Sequence, residues 1–238
     1  MKSLTVKKIL FALLWVGFVT YAFGFAPPSQ PDTPELIQNL IAGNWKEINP
    51  IVVALFNLMG IWPIAYSSLL FFDGRGQKIG AWPFAIAAFG VGAFAILPYL
   101  VLRQPQPEFN GEKSKLLQVL DSRILGIILL VGAIALVVFG ITQGDWQDFI
   151  YQWQTRRFIH VMSLDFCLLA LLFPALLSDD MARRGLDSSI AFWAVSLVPL
   201  FGPLAYLCTR PPLEAKDSVD NTSMTKLTYN VKDTTSEL

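Results

Sequence analysis

Long apolar runs alternate with short polar segments along most of this chain. A helix that crosses a membrane needs about 20 mostly apolar residues at 1.5 Å per residue. Six segments approach or exceed that length: 9–25, 50–72, 81–102, 124–142, 158–177 and 190–208. The pattern predicts an all-α fold, a polytopic membrane helical bundle of about six spans.

Two of the polar connections contain amphipathic stretches. Leu36, Leu40 and Ile41 fall on one helical face after a proline-rich segment, and residues 145–157 have a similar aromatic face. Such stretches are typical of helices that lie in the membrane interface. Residues 213–238 lack apolar periodicity, so we expect a disordered polar tail.

The first apolar segment has a second interpretation. Residues 1–8 are basic and small residues follow the apolar run, as in a cleaved signal peptide. The run is long for a signal core, and Pro27 and Pro28 follow it directly. These two features favour a retained span.

The two halves of the chain resemble each other. Three sets of similar residues recur at offsets of about 115, 113 and 107, and the last set pairs Asp73, Tyr99 and Arg103 with Asp180, Tyr206 and Arg210. This order predicts a first repeat in 1–105, a linker in 106–122 and a second repeat in 123–212. Three spans is an odd number, so the second repeat would be inverted in the membrane, as in many secondary transporters.

The composition is typical of a membrane protein and gives no support to a nucleic-acid-binding or metal-binding protein. The chain is 54% hydrophobic and only 15% charged, with a mean hydropathy of +0.50. Eighteen basic and eighteen acidic residues cancel, so nothing favours binding to nucleic acid. The two cysteines, Cys167 and Cys208, lie in apolar runs and form no metal or disulfide motif, so we expect no metal and no cofactor.

Charge indicates the orientation only weakly. With six spans, nine basic residues near the spans share the side of the N-terminus and seven lie on the other side. The positive-inside rule therefore slightly favours a cytoplasmic N-terminus.

Three polar residues lie in or at the predicted spans. Asp165 is seven residues into the fifth span, where a carboxylate costs roughly 2.5–3.5 kcal/mol on insertion scales. It is either a proton or cation site or a neutral acid that holds helices together. Asn57, its counterpart in the first half, is interpreted mainly as a helix–helix contact. His160, the only histidine, starts the fifth span and is expected to be structural.

Polar turns are predicted at two connections. Asp73 and Arg75 lie in the turn after the second span, and Asp180 and Arg183 lie after the fifth. We expect solvated turns there, although such turns can also gate transporters. The sequence has no phosphate loop, nucleophile motif or paired-carboxylate site, so we do not expect an enzyme.

Several motifs together resemble a known family. They are Lys7-Lys8 before an apolar helix, Asn49-Pro50, Asn57, Asp73-Gly74-Arg75, Trp82-Pro83 and Leu97-Pro98-Tyr99-Leu100 followed by Arg103. They resemble a small three-span bacterial membrane family of unknown function, and the doubled form is similar to cyanobacterial and chloroplast proteins. The resemblance covers about residues 5–212, although Trp82-Pro83 has no counterpart at Ser189-Ile190. The resemblance implies that the protein lies in a plasma or thylakoid membrane, but it gives no information on mechanism.

Two functions follow as hypotheses. The first is a non-enzymatic protein that contacts the lipid bilayer and other membrane subunits and helps to assemble or stabilise a membrane complex, such as a photosynthetic one. The alternative is a small-solute or proton-coupled transporter that uses Asp165.

Overall fold

The computed structural model describes residues 2–106, 109 and 113–213, and these residues form twelve α-helices. In order, they are α1 (Lys2–Gly24), α2 (Thr33–Ala42), α3 (Pro50–Asp73), α4 (Trp82–Val91), α5 (Ala93–Leu102), α6 (Lys115–Leu120), α7 (Arg123–Gln143), α8 (Trp146–Thr155), α9 (Arg157–Leu172), α10 (Pro174–Arg183), α11 (Ser189–Leu197) and α12 (Phe201–Thr209). The predicted all-helical class is confirmed. The predicted polar tail lies, apart from Leu213, outside the described residues.

Four segments are long and apolar enough to cross a membrane: Leu4–Gly24, Pro50–Asp73, Arg123–Gln143 and Arg157–Arg183. The last joins α9 to α10 across Phe173. Local signals start α3 at Pro50. The Asn49 side chain accepts a hydrogen bond from the Ile51 N–H, and Pro50 occupies the first turn, where its missing N–H costs nothing. These segments are compatible with a multi-pass membrane protein.

The long helices run between two ends of one bundle. The end that contains Asp73, the last residue of α3, is named the Asp73 end, and the end that contains Asn49, the residue before α3, is named the Asn49 end. The first helix starts at the Asp73 end, where the Lys8 Nζ donates to the Leu102 carbonyl. It finishes at the Asn49 end, where the Tyr21 hydroxyl lies 2.8 Å from Nε2 of His160. Helix α7 runs in the same direction, because its first residue, Arg123, bonds to Arg210.

The predicted third span is a helical hairpin. Helices α4 and α5, with ten residues each, meet at Gly92. The ring of Phe84 on α4 lies 5.5 Å from the ring of Tyr99 on α5, so the two helices fold back on each other. This first hairpin both starts and finishes at the Asp73 end. Ten residues extend only about 15 Å, half the thickness of a bilayer core.

The predicted sixth span is a second hairpin of the same kind. Helices α11 and α12 are separated by Val198, Pro199 and Leu200, and Leu200 has a positive φ of 63°. Gly202 packs so closely on α11 that an added Cβ would lie 2.9 Å from the Val195 carbonyl carbon. Within the described residues, the six predicted spans are thus four long segments and two hairpins.

The inverted arrangement of the halves is not confirmed. Helices α3 and α9 start near each other at the Asn49 end, where Val52 and Ile159 belong to one buried cluster. Helices α3 and α10 also finish together, since Arg183 pairs with Asp73 at 3.3 Å. Each half therefore crosses the bundle twice and returns by a hairpin, so both halves point the same way.

The two predicted amphipathic stretches form helices α2 and α8, both at the Asn49 end. Asp145 caps α8 by accepting hydrogen bonds from the N–H groups of Gln147 and Asp148. Helix α8 has no buried residue, whereas α2 buries Leu40. Their placement brings the starts of α3 and α9 together, because the Asn49 amide donates to Asp148.

The two halves meet at an aromatic core. Tyr66 on α3 and Phe173 between α9 and α10 pack edge to face with ring centroids 5.5 Å apart. The Tyr66 hydroxyl donates to the Leu169 carbonyl at 2.6 Å, so this buried polar group is satisfied. Trp62 packs beside both rings and is fully buried.

Candidate functional site

Asp165 meets the tip of the first hairpin. Its Oδ1 accepts a hydrogen bond of 2.7 Å from the backbone N–H of Ala93, the first residue of α5. The side chain is only 5% exposed. A carboxylate from α9 thus caps a helix of the other half and satisfies an N–H left unpaired by the break. The predicted intramembrane candidate lies at a helix terminus, which the sequence did not indicate.

Gly92 makes this contact possible. Its φ of 50° and ψ of −124° belong to a region that residues with side chains rarely enter. An added Cβ would also lie 2.7 Å from Cγ and 3.0 Å from Oδ1 of Asp165. Both the backbone conformation and the close approach therefore require glycine.

A cavity of about 700 Å³ leads to Asp165. It extends from the Asn49 end, at Ser29 and Thr33, to the hairpin tip at Gly92. Its wall is mostly apolar and includes five phenylalanines: Phe23, Phe56, Phe89, Phe94 and Phe158. The volume lies within the usual range for sites that bind small molecules.

Arg157 lies at the outer part of this cavity. Its Nε donates to the Pro27 carbonyl and its backbone N–H to the Pro28 carbonyl. Eight residues separate it from Asp165 on α9, or about 12 Å along the helix axis. The proline-rich segment after α1 is therefore bound to the start of α9 and shapes the cavity entrance.

His160 makes contacts that join three helices, and its structural role stays a prediction. Its Nε2 lies 2.8 Å from the Tyr21 hydroxyl, and its Nδ1 lies 2.9 Å from the Trp153 carbonyl. Its ring also stacks on the Trp153 ring with centroids 4.4 Å apart. These bonds join α1, α8 and α9, and His160 is not among the residues that line the cavity with Asp165.

Asn57 does not meet Asp165. Its amide donates to the Val53 carbonyl one turn earlier on α3, so it makes a local bond. The helix–helix contact predicted for it is absent from the hydrogen bonds of the described residues.

A buried charge cluster closes the first hairpin at the Asp73 end. Tyr99 donates to Oδ2 of Asp73 at 2.5 Å, and Arg103 donates to the same carboxylate at 2.5 and 2.7 Å. Arg103 also pairs with Asp179 of the second half, while Arg183 pairs with Asp73. Asp73 is completely buried, so the predicted solvated turn is wrong at this residue.

An equivalent cluster closes the second hairpin. Tyr206 donates to Oδ2 of Asp180 at 2.7 Å, and Arg210 pairs with the same oxygen at 3.1 Å. Asp180 is completely buried inside α10 and also pairs with Arg184 at 2.8 Å. The second predicted solvated turn is therefore also wrong at its aspartate.

The arginine of each cluster donates a hydrogen bond to the opposite half of the chain, and the two bonds are equivalent. Arg103 donates to the Ala175 carbonyl and Arg210 donates to the Ser68 carbonyl. Both acceptors lie on the helix of the opposite half, and they are 107 residues apart, like the two arginines. The same sequence offset thus recurs in the three-dimensional contacts.

Two further charged residues, Asp121 and Arg75, lie at the same end of the bundle as these clusters. Asp121, before α7, lies 2.6 Å from the Lys113 Nζ and 2.7 Å from Nη1 of Arg184. Burial by itself raises the pKa of Asp121. The two cations and a hydrogen bond from the Leu213 N–H lower that pKa by more than burial raises it, so the pKa lies below its usual value. Arg75 instead stacks over the Phe109 ring at 5.3 Å.

Sequence reasoning missed the cavity, the hairpin break at Gly92 and the role of the two arginines. The repeated spacing was the available signal, since a tyrosine follows each aspartate by 26 residues and an arginine by 30. Among the described residues, no three His, Cys, Asp or Glu side chains come together as a metal site. The Cys167 side chain is exposed on the outside of the bundle.

Comparison with known proteins adds no relative. The chain matches no family model, no curated protein and no solved structure. The resemblance to a three-span bacterial family therefore stays a prediction, and function has to be argued from the geometry alone.

Proposed function

We propose that this chain is a multi-pass membrane carrier that binds a small solute at Asp165, the alternative function expected from the sequence. The observation that carries the proposal is the cavity, which leads from one end of the bundle to a buried carboxylate at a helix break. Broken helices at membrane depth are tolerated where they line a cavity or are buried in protein, and transporters use them as binding sites.

The membrane arrangement that we propose has four crossings and two re-entrant hairpins. The four long apolar segments cross, and both hairpins enter and leave at the Asp73 end. Many large apolar side chains on the outside of the bundle support this arrangement, among them Leu13, Ile128, Val131 and Leu171. In water such a surface would aggregate, whereas in lipid it is solvated.

Charge supports one orientation of this arrangement. Twelve basic residues lie at or near the Asp73 end: Lys2, Lys7, Lys8, Arg75, Lys78, Arg103, Lys113, Lys115, Arg123, Arg183, Arg184 and Arg210. Three lie at the Asn49 end, namely Lys46, Arg156 and Arg157, and the other three of the eighteen fall in 214–238. The positive-inside rule then assigns the Asp73 end and the N-terminus to the cytoplasm, with the cavity open to the opposite side.

The twofold likeness of the halves supports a duplication with parallel repeats. Each half supplies two crossings, an interfacial helix and a hairpin closed by an Asp–Tyr–Arg cluster. An even number of crossings returns the chain to the side where it started, so the second copy has the same orientation. Parallel repeats related by an axis along the membrane normal also occur in transporters.

Transport requires that the floor of the cavity can open. The first hairpin forms that floor, and its tip is held by Asp165. Protonation of Asp165, or binding of a cation to it, would weaken the bond to the Ala93 N–H. The tip is therefore the element that we expect to move during a transport cycle.

An assembly role is the second candidate, and one observation favours it. An apolar groove of about 430 Å³ lies between α1 and α9. The corresponding helix α7 packs tightly on α3, where an added Cβ on Gly140 would lie 2.9 Å from the Ala54 Cβ. The open groove has room for a helix of another subunit. Whether a plasma or thylakoid membrane holds the chain stays a prediction.

Flux in proteoliposomes of neutral phosphatidylcholine tests the carrier proposal. We would compare wild type, Asp165→Asn and the exposed-charge control Asp187→Asn with a luminal pH dye and solid-supported-membrane currents, using small amines, carboxylates and neutral solutes. We expect a flux that Asp165→Asn abolishes and Asp187→Asn retains. If no solute or proton flux depends on Asp165, while further subunits co-purify in mild detergent, the carrier proposal fails and the assembly role gains support.

A further inference from the structure

The chemistry of the cavity determines what kind of ligand it can hold. Among the described residues, two charged side chains line it, Asp165 at the floor and Arg157 in the outer part. Arg157 already donates to Pro27, and about 12 Å of helix separates it from the floor. The inner part of the cavity therefore contains an acidic side chain and no basic one.

The backbone contributes a partial negative charge to the same part of the cavity. Helix α4 ends at the cavity, and Gly90 and Val91 of its last turn line the wall. The C-terminus of a helix has a partial negative charge from its unpaired carbonyl groups. The opposite, positive terminus at Ala93 is already occupied by Oδ1 of Asp165. An anion at the floor would meet the acidic side chain of Asp165 and the carbonyl end of α4.

The walls favour a cation that has an apolar body. Five phenylalanine rings line the cavity. Aromatic faces attract cations, with energies that rise when the site excludes water. A volume of about 700 Å³ accommodates a ligand with one aromatic ring or a comparable aliphatic group.

We infer that the cavity binds a monovalent organic ammonium ion, with its cationic group at Asp165 and its apolar body among the phenylalanine rings. The inference rests on the proposed function, because it names the ligand class of the same site. The ammonium N–H groups would donate to the Asp165 carboxylate. A charge-assisted hydrogen bond of this kind corresponds to a preference of about ten- to a hundredfold over a neutral analogue.

Binding of 2-phenylethylammonium tests the inference, with 2-phenylethanol as the neutral analogue of nearly equal size. The full chain is placed in nanodiscs of neutral phosphatidylcholine, and both affinities are measured by titration calorimetry at pH 7. We expect the amine to bind at least about tenfold more tightly than the alcohol. In Asp165→Asn we expect the preference to vanish while the alcohol affinity stays unchanged.

A second variant keeps the test valid if Asp165→Asn does not fold. Gly60 lines the cavity and has no atom within 4 Å of an added Cβ, so the side chain in Gly60→Leu starts in open space and we expect it to fill part of the cavity. We expect it to weaken both ligands and to leave the Asp165–Ala93 bond intact. Equal affinity of amine and alcohol in wild type, tighter binding of phenylacetate, or an amine affinity that Gly60→Leu does not change would each overturn the inference.

The inference and the carrier proposal fail in different ways. Amine binding that depends on Asp165 without any flux contradicts the carrier and supports the ligand class. A flux of neutral or acidic solutes that depends on Asp165, with no amine preference, contradicts the ligand class and supports the carrier.

Discussion

Replacing Gly92 by alanine probes the contact between the first hairpin and Asp165. A residue with a side chain at φ 50° and ψ −124° costs about 1–3 kcal/mol in backbone strain. The new Cβ would also lie 2.7 Å from Cγ of Asp165, so the carboxylate has to leave the Ala93 N–H. Loss of a hydrogen bond to a charged group costs roughly 1.5–3 kcal/mol. We therefore expect Gly92→Ala to destabilise the protein by about 2.5–6 kcal/mol, the sum of the two contributions.

Gly90→Ala is the matched control. Gly90 lies two residues earlier on the same hairpin, lines the same cavity, and has no atom within 4 Å of an added Cβ. Alanine is the better helix former by up to about 1 kcal/mol, so we expect no loss of stability. Chemical unfolding in a mixed detergent micelle measures both variants against wild type.

A double-mutant cycle separates the two causes. In an Asp165→Ala background the carboxylate is gone, so Gly92→Ala retains only the backbone strain of about 1–3 kcal/mol. The cost of Gly92→Ala should therefore fall by roughly 1.5–3 kcal/mol. If Gly92→Ala and Gly90→Ala unfold alike, or if the cost of Gly92→Ala is the same in both backgrounds, the geometry of this contact is refuted.

Three further predictions concern the Asp73 end. Arg210→Gln breaks the buried ion pair with Asp180 and should lower the free energy of unfolding by about 3–5 kcal/mol. Lys78→Gln, at an exposed position, should lower it by less than about 1 kcal/mol. Equal losses would contradict the buried ion pair. Gly126→Ala places a Cβ 2.7 Å from the backbone of the second hairpin, so it should lower the melting temperature, while Gly17→Ala has open space and should not. The pKa of Asp121 is lowered by folding, so its stabilisation is fully present above the ordinary value of 3.8 and is lost as the pH falls through the folded-state pKa. The stability difference between wild type and Asp121→Asn should thus be constant from pH 7 to 5 and shrink below 3.8; a difference that grows on acidification would contradict this.

Hydropathy predicted the helices well because burial in protein and burial in lipid require the same apolar residues. It could not distinguish a crossing helix from a hairpin, since 81–102 is apolar throughout in either case. The break at Gly92 depends on a positive φ and on the hydrogen bond from the Ala93 N–H to Asp165, which lies 72 residues after Ala93. Only tertiary structure supplies that contact.

The same limit applies to the charged turns. Asp73 and Asp180 follow apolar runs and have the composition of solvated loops. They are buried because Arg103 and Arg210, each 30 residues later, return beside them once the hairpins form. The recurrence of this spacing was visible in the sequence, but its meaning as an ion pair depends on the hairpin. The predicted duplication and its boundaries remain predictions.

The most direct measurement is the sidedness of single cysteines. In a background without Cys167 and Cys208, a membrane-impermeant maleimide is applied to intact cells that carry Lys46→Cys, Lys78→Cys or Lys115→Cys. Four crossings with two re-entrant hairpins predict that positions 78 and 115 are protected together on the cytoplasmic side and that position 46 alone is labelled. Labelling of 46 and 115 together, with 78 protected, would restore six spans and contradict the account.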